Sequence, residues 1–245
     1  NVLTKRCMKG SLVASVLAYA EALKWNRAWL ERHVDAFVCP SAFMARKMKQ
    51  GGFDESKLAV ICNFVDPVKL SVFEGLSVNA ERNYYLYVGR LSQEKGVETL
   101  LEVASQLPYT LKVAGGGPLA DEMKAKYSEC ANIEFLGHQN AEQVSSLLAG
   151  AVAIVAPSEC YENNPLSVIE SLCAGTPVVG ANIGGIPELI GTGEGLVFES
   201  GNKVELAEKI KQAFSTEWDN DAIKKKSLER FSPDKYFAQI KLIYR

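Results

Sequence analysis

From residue 84 onward, short apolar runs alternate with helical stretches, and this alternation limits the folds that the chain can adopt. The apolar runs lie at 84–89, 109–114, 132–137, 151–156, 176–181 and 195–198. The helical stretches lie at 96–107, 118–129, 141–150, 165–175, 187–190, 202–215, 219–230 and 233–244. Strands that are covered on both faces show continuous apolar runs of this kind. The order therefore predicts an α/β fold in which right-handed crossovers build a doubly wound parallel sheet.

The segment before residue 63 contains fewer predicted elements. Apolar side chains recur at helical spacing over 11–33 and predict one long helix. Strand candidates lie at 35–39 and 58–62. Between them, Ser41 is suited to cap a helix over 42–50, which a Gly-Gly pair closes.

The stretch 63–82 contains a proline and shows no regular apolar spacing. We therefore predict a linker there. It divides the chain into an N-terminal part, 1–62, a second domain, 83–230, and a final helix, 231–245.

The start of the chain could be read as a signal peptide, since Lys5, Arg6 and Lys9 precede an apolar stretch. Ser15 interrupts that stretch and the helical pattern continues past it, which favours a helix. The apolar run is too short to span ~30 Å of hydrocarbon. Because the chain begins with Asn rather than Met, we expect it to be a fragment or a processed product.

Charge and cysteine content exclude several classes of protein. The net charge is −2, whereas nucleic-acid binders more often carry a basic excess. The chain has six cysteines, none in a C-x-x-C pair, and two histidines, so a structural zinc site is disfavoured. We expect buried free thiols in a reducing compartment.

Ligands of a doubly wound sheet bind beyond the carboxyl ends of its strands, so function should lie at the strand exits. The first exit carries Arg90 and Lys95, two cations suited to a pyrophosphate. The alternative is a solvated loop in which these cations pair with Glu94 or Glu98.

The second exit reads AGGGPLA, and its glycines would let an anion approach the backbone. Gly115, Gly117 and Ala120 also fit a dinucleotide fingerprint, which would imply an NAD site. That fingerprint requires an acid at the end of the next strand, and Glu134 lies inside the strand instead. A tight turn is thus the alternative to an anion site. At the third exit, His138 lies where it could contact a ligand or serve only the structure.

The fourth exit reads SECYENNPLSVIE. Asn164 is suited to cap a helix and Pro165 to be its first residue. Glu162 would then lie before the helix and Glu170 in its second turn, so the two carboxylates could bracket a polyhydroxyl ligand. Backbone amides from Asn163 onward would face the same crevice. The alternative is an exposed glutamate and a salt-bridged one.

At the fifth exit, GANIGGIPELI, Glu188 could simply favour a helix start.

This ordered set resembles glycosyltransferase family 4. The resemblance rests on VGRLSQEKG, AGGGP, ENNPLSVIE, GTPVV and GGIPELI, and earlier on VDAFVCPSAFMARKMKQGG and LAVICNFVD. It implies a GT-B fold, in which two Rossmann-like domains flank a cleft. This chain would be the C-terminal donor-binding half with a remnant of the N-terminal acceptor domain.

The resemblance also implies a retaining transfer from a nucleotide-diphosphate sugar, without a metal ion or other cofactor. Glu162 would be the catalytic residue that contacts the transferred sugar, while the two cations hold the pyrophosphate and Glu170 binds the ribose hydroxyls. The implied donor-binding residues are Arg90, Lys95, Gly116, His138, Asn163, Asn164, Pro165, Leu166 and Glu170. The family often has Gly-Phe-Gly after the first glutamate, where this chain has Asn-Asn-Pro.

The expected partners are a UDP- or GDP-sugar and a glycan or lipid-linked acceptor, in surface polysaccharide synthesis. No nucleic acid is expected. We expect a cytoplasmic location, at the membrane face if the absent domain makes peripheral contact there, and we expect the isolated chain to be inactive. The alternatives are a non-catalytic nucleotide-sugar-binding fragment, a sugar-nucleotide epimerase and an NAD-dependent oxidoreductase.

The absent half also implies unpaired apolar surface. We predict that the helix with Trp25 and Trp29, and the last helix with Phe231, Tyr236, Phe237 and Tyr244, leave apolar side chains exposed or paired between molecules.

Overall fold

A computed structural model describes residues 11–76 and 82–244 of the chain. The predicted basic start with Lys5, Arg6 and Lys9, Cys7, and part of the predicted linker lie outside these residues. The described chain forms two units. The smaller contains the residues up to Cys39 and Ala45–Val60, and the larger contains Pro40–Met44 and the residues from Ile61 onward. The predicted boundaries at residues 62, 82 and 230 stay a prediction.

Within residues 11–60, the smaller unit is built on two helices and two parallel strands, together with most of a third helix. The two helices and two strands are α1 (Leu12–Lys24), α2 (Arg27–His33), β1 (Phe37–Cys39) and β2 (Leu58–Val60). The prediction of one helix over 11–33 was wrong. The helix stops at Trp25, and the Asn26 side chain caps a new one by accepting from the Trp29 backbone N–H at 3.0 Å. An asparagine carbonyl competes well for such amides, so it starts a helix more readily than it continues one.

The helix α3 (Ala42–Gln50) begins in the larger unit and ends in the smaller one. Its predicted cap is confirmed, because the Ser41 hydroxyl accepts from the Met44 N–H at 3.1 Å. Gly52 follows the helix in the left-handed region, with φ of 87°, as a closing glycine does.

The larger unit is built on one parallel sheet, which confirms the predicted fold class. Its strands are β3 (Tyr84–Val88), β4 (Thr110–Ala114), β5 (Ile133–Gly137), β6 (Ala151–Ala156), β7 (Val178–Ala181) and β8 (Gly195–Phe198). They lie in the order β5-β4-β3-β6-β7-β8, and each neighbouring pair is parallel.

Helices cover both faces of this sheet. The helices after β2 are α4 (Pro67–Gly75), α5 (Val97–Ala104), α6 (Ala120–Lys126), α7 (Ala141–Gly150), α8 (Leu166–Cys173), α9 (Ile186–Leu189), α10 (Lys203–Ser215), α11 (Asn220–Arg230) and α12 (Pro233–Ile243). Short 3₁₀ turns lie at Glu55–Lys57 and Gln93–Lys95. The buried apolar side chains form two clusters, one of which contains Leu101 and Phe198 and the other Leu86 and Leu172.

The stretch predicted to be a linker contains α4, so the prediction of an irregular segment was wrong where the chain is described. The Asp66 carboxylate caps α4 by accepting from the Val68 N–H at 2.9 Å, and Pro67 is its first residue. Phe73 is fully buried and Val65 is nearly so. The helix is therefore part of the core of the larger unit.

The predicted exposure of apolar side chains is confirmed for α1 and in part for α12. The exposed ones are Leu12, Val13, Val16, Leu17, Tyr19, Leu23, Trp25, Phe237, Leu242 and Tyr244. Phe231 is the exception, since it is buried in the core. Tyr236 packs on the ring of Phe64 at 4.7 Å.

Within the described ranges, Cys39, Cys62, Cys130, Cys160 and Cys173 are free thiols, of which Cys39 and Cys173 are buried. No helix in this part of the chain is long and apolar enough to cross a membrane.

Candidate functional site

The strand order reverses between β3 and β6, because the chain builds the sheet outward on one side from β3 and then on the other from β6. Open α/β sheets bind ligands in the crevice at this point. Two cavities lie there, of about 270 and 330 Å³. They share Val88, Gly89 and Arg90. The crevice is thus centred on the first predicted strand exit.

The first exit places its two cations at different depths. Arg90 is exposed and lines both cavities, and its carbonyl accepts from the Tyr87 hydroxyl at 2.7 Å, which holds the loop onto β3. Lys95 lines the smaller cavity and forms an ion pair with Glu162. The suggested pairing with Glu94 or Glu98 is therefore not what the structure shows for Lys95.

Glu162 is half-buried at the junction of the two loops. Besides Lys95, its carboxylate accepts from the Ser158 hydroxyl at 2.9 Å. Burial raises the pKa of Tyr87 on the neighbouring strand, and the negative charge of Glu162 contributes to that rise. The carboxylate is therefore held in place by a cation and a hydroxyl, both on the crevice wall.

The two asparagines after Glu162 do not point into the crevice. The side-chain oxygen of Asn163 accepts from the Ser41 hydroxyl at 2.6 Å. Asn164 is buried, and its side-chain oxygen accepts from the Asn63 N–H at 3.1 Å. Neither residue caps α8; the cap position belongs to Pro165, so the predicted start of this helix was one residue early.

The first turn of α8 borders the smaller cavity through Pro165 and Ser167. The amides of Leu166 and Ser167 have no acceptor within the helix, as for any first turn. Glu170 follows one turn further on the same face as Ser167. Its carboxylate forms an ion pair with Lys69 of α4 at 2.6 Å, which is the salt-bridged alternative for the second glutamate.

The second and third exits form the other cavity, which Gly115, Gly116, His138 and Gln139 line. A Cβ on Gly115, whose φ is 141°, would overlap the carbonyl oxygen of Gly89. A Cβ on Gly116 would meet nothing within 4 Å. The middle glycine is therefore open to a ligand, while the first is required by the contact between two loops.

Sequence reasoning missed Ser158 and Ser167, which line the smaller cavity, and Lys69, which lines neither cavity but pairs with Glu170. Ser158 lies within the strand exit at 156–165 and Ser167 directly follows the predicted site residue Leu166, so closer attention to this exit and to the helix after it could have found them. Lys69 lies in the segment predicted to be a linker and carries no motif signal. Within the described ranges, no three His, Cys, Asp or Glu side chains are grouped as a metal site would require.

Comparison with models of protein families shows which family this chain belongs to. The model of the family described as "Glycosyl transferases group 1" matches residues 70–230. This chain belongs to the group 1 glycosyl transferase family. A second model, "Glycosyltransferase Family 4", matches residues 14–69, a smaller part of the chain.

The relatives of this glycosyl transferase agree with the assignment. It is 32% identical over 176 residues to the glycogen synthase of Mycobacterium tuberculosis. This match covers 68% of this chain and 42% of that protein. It is 30% identical to the O-antigen biosynthesis glycosyltransferase WbnH of Escherichia coli, over 70% of this chain and 48% of the relative. The chain thus spans about half the length of the curated relatives it matches.

Among solved structures, the glycosyl transferase resembles HepE of Anabaena in complex with UDP. The TM-score is 0.73 at 21% identity, and the match covers 88% of this chain and 65% of the other. This likeness confirms the predicted Rossmann-like α/β fold. The family match also disfavours an epimerase or an NAD-dependent oxidoreductase.

Proposed function

We propose that this chain supplies the donor-binding half of a retaining glycosyltransferase that uses a UDP- or GDP-sugar and needs no metal ion. The observation that carries the proposal is the crevice between β3 and β6. Arg90, Lys95, Glu162 and the first turn of α8 all border one cavity there. Two cations, the first amides of a helix and a carboxylate around one cavity suit a sugar diphosphate.

The departure of a nucleoside diphosphate builds up negative charge, which must be stabilised where it develops. Arg90 is exposed at the crevice and can bind the diphosphate with two hydrogen bonds. Lys95 would exchange its contact with Glu162 for one with phosphate. The amides of Leu166 and Ser167 would add the positive end of the α8 dipole.

Glu162, released from Lys95, would face the transferred sugar. A nearby carboxylate stabilises the oxocarbenium-like state through which glycosyl transfer passes. Glu170 would accept from the two ribose hydroxyls. His138 and Gly116 would border the other end of the donor, in the larger cavity. Of the nine implied donor residues, Asn163 and Asn164 would act through their backbone alone, because their side chains are used within the protein.

The acceptor is proposed to be a glycan or lipid-linked glycan of surface polysaccharide synthesis, at the cytosolic face of the membrane. A relative in O-antigen biosynthesis supports this class. We also propose that the isolated chain transfers little sugar, because it spans only part of its relatives. The test measures the rate of sugar transfer from a UDP-sugar to the acceptor, by this chain and by a longer form of the protein that covers the full length of its relatives. Equal transfer rates would contradict the proposal.

Calorimetric titration of the chain with UDP, GDP and NAD, without metal, tests the donor site. We expect one nucleoside diphosphate to bind, with affinity lowered about tenfold or more in Arg90→Ala, since each lost charged hydrogen bond costs ~1.5–3 kcal/mol. Glu170→Ala should also bind weakly. Lys211→Ala on α10, outside both cavities, is the matched control and should bind as the unchanged chain does. Binding of NAD alone would contradict the proposal.

A further inference from the structure

The backbone of the loop that carries Glu162 lies directly against the loop after β7. The Gly185 N–H donates to the Glu162 carbonyl oxygen at 2.7 Å. A Cβ on Gly185 would overlap the Asn163 carbonyl oxygen, and one on Gly184 would overlap that of Glu162. Two stretches of backbone therefore touch with no room for a side chain between them.

A second element holds the same loop through its side chains. The Ser41 hydroxyl, which is buried, donates to the Asn163 side-chain oxygen at 2.6 Å. The ring of Phe43 packs on the ring of Tyr161 at 4.9 Å. Residues Pro40–Met44, which belong to the larger unit, thus contact the residues on either side of Glu162.

Glu188 joins these two elements. Its two carboxylate oxygens accept from the Ala42 and Phe43 N–H groups, each at 2.7 Å. These amides begin α3 and have no acceptor within the helix, and the positive end of the helix dipole favours a carboxylate there. Glu188 therefore caps α3 from a distant loop, in addition to any effect on its own short helix.

The backbone of Glu188 is fixed in turn. Arg230 donates to the carbonyl oxygens of Glu188 and Leu189 at 2.7 and 2.9 Å. Arg230 also lies 3.6 Å from the buried carboxylate of Glu194. The Glu188 side chain thus acts from an anchored position.

We propose that Glu188 and Ser41 are positioning residues of the donor site. Together with Asn163 and Gly185 they form a clamp, named here the α3 clamp, which fixes the peptide planes on both sides of Glu162. It thereby holds the Glu162 carboxylate beside Lys95 and sets where the first turn of α8 begins. This inference rests on the proposed function, because it assigns the clamp to donor binding.

The test combines amide hydrogen exchange of the unliganded chain with titration. Glu188→Ala and Ser41→Ala should exchange faster at residues 160–166 while the strands β3 and β4 keep their protection. The ratio of the affinity for UDP to the affinity for UMP should fall about fivefold; if the chain prefers guanine, the ratio is that of GDP to GMP. The reason is that only the diphosphate carries the terminal phosphate that would contact Lys95 and the α8 amides. General loss of stability would not change that ratio.

Two further variants keep the outcome interpretable. Glu188→Gln keeps one carbonyl oxygen for the two amides, so both effects should be intermediate. Asn202→Ala, which removes the cap of α10 by the Asn202 side chain, is the matched control and should leave the ratio and the exchange at 160–166 unchanged.

The outcomes separate this inference from the proposed function. If the unchanged chain binds UDP or GDP and the Glu188 variants keep its ratio and its exchange pattern, the clamp is overturned and the proposed function stands. Faster exchange throughout the larger unit would assign Glu188 to overall stability and also overturn the clamp. If the unchanged chain binds neither nucleotide, the proposed function fails and the role of the clamp in donor binding fails with it.

Discussion

The loops on the two sides of the crevice are built differently, although both follow parallel strands at the same edge of one sheet. On the side of β3, β4 and β5, Arg90 and His138 are exposed, and Gly116 has open space beside it. On the β6 side, Glu162 and the residues around it contact Lys95, Ser158, Ser41 and Gly185.

This difference suggests a division of work. A side that is ordered before the ligand arrives loses little entropy on binding, and an exposed side can adjust to the ligand. Within our proposal, the β6 side sets the geometry of the reacting sugar, and the β3 side adapts to the diphosphate and the base.

The largest expected effect is on the free energy of unfolding, when a methyl group is added to one glycine on the β6 side and, separately, to one glycine on the β3 side. Gly185→Ala places a Cβ on the Asn163 carbonyl oxygen and within 3.0 Å of the Ser41 Cβ. Such overpacking should lower the free energy of unfolding by about 2–3 kcal/mol. Gly116→Ala meets no atom within 4 Å and is not in the left-handed region, so it should raise that free energy by ~0.4–1 kcal/mol.

Urea denaturation of both variants measures these changes. Equal destabilisation by the two alanines would break the distinction between a packed side and an open side.

The next effect concerns the buried thiol of Cys173, the last residue of α8, the helix that follows the β6 loop. Burial raises the pKa of Cys173 to about 12, and the charge of Glu170 contributes. In the unfolded chain this thiol ionises near its ordinary value, so above pH ~9 the unfolded state binds fewer protons than the native state. Stability due to this group is complete below the unfolded pKa and is lost as pH rises toward 12.

Denaturation at pH 8 and pH 10 tests this. Between these values the unchanged chain should lose about 1 kcal/mol more than Cys173→Ala does. The buried Tyr85 and Tyr87 have raised pKa values and add a loss of the same sign, but both chains share it. The same pH dependence in both chains would show that Cys173 is hydrated in the native state.

The smallest effect concerns the cation that shares Glu170. Lys69→Met removes its partner, so ribose hydroxyls would bind the carboxylate without displacing an amine. The Lys69 side chain of this ion pair is 39% exposed, and such pairs are worth ~0.2–1 kcal/mol, so the affinity for the nucleotide should rise at most about fivefold. Lys203→Met is the matched control, since Lys203 pairs with Glu102 at the same 2.6 Å elsewhere in the unit.

Titration with UDP or GDP measures both variants. A lower affinity in Lys69→Met would mean that Lys69 orients Glu170 or contacts the nucleotide directly. The comparison of the packed β6 side with the open β3 side would then have to include α4, because a cation on that helix would belong to the site.

Most of the sheet could be predicted because burial on two faces leaves a strong pattern in the sequence. The six apolar runs from residue 84 onward correspond to β3–β8, and residues of the strand exits at 89–96, 114–118, 137–140 and 156–165 line the two cavities. The errors lie where an asparagine side chain could cap a helix or bind elsewhere. Asn26 started a second helix, and Asn164 was used by Asn63 rather than by α8.

The segment 67–75 shows the same limit from the packing side. Its apolar residues have no clear helical spacing, yet the structure buries Phe73 completely and forms α4. A helix of this length is not stable alone and forms because the surrounding core covers it.

The sequence by itself determined the α/β class, the positions of the strand exits and the residue types that meet there, because these depend on hydrophobic periodicity and local backbone preferences. Only the tertiary structure decided which charges pair. Lys95 joins Glu162 across 67 residues, Lys69 joins Glu170 across 101, and Glu188 caps a helix that begins 146 residues earlier. Such partners are selected by the approach of distant backbones, and no local pattern records that approach.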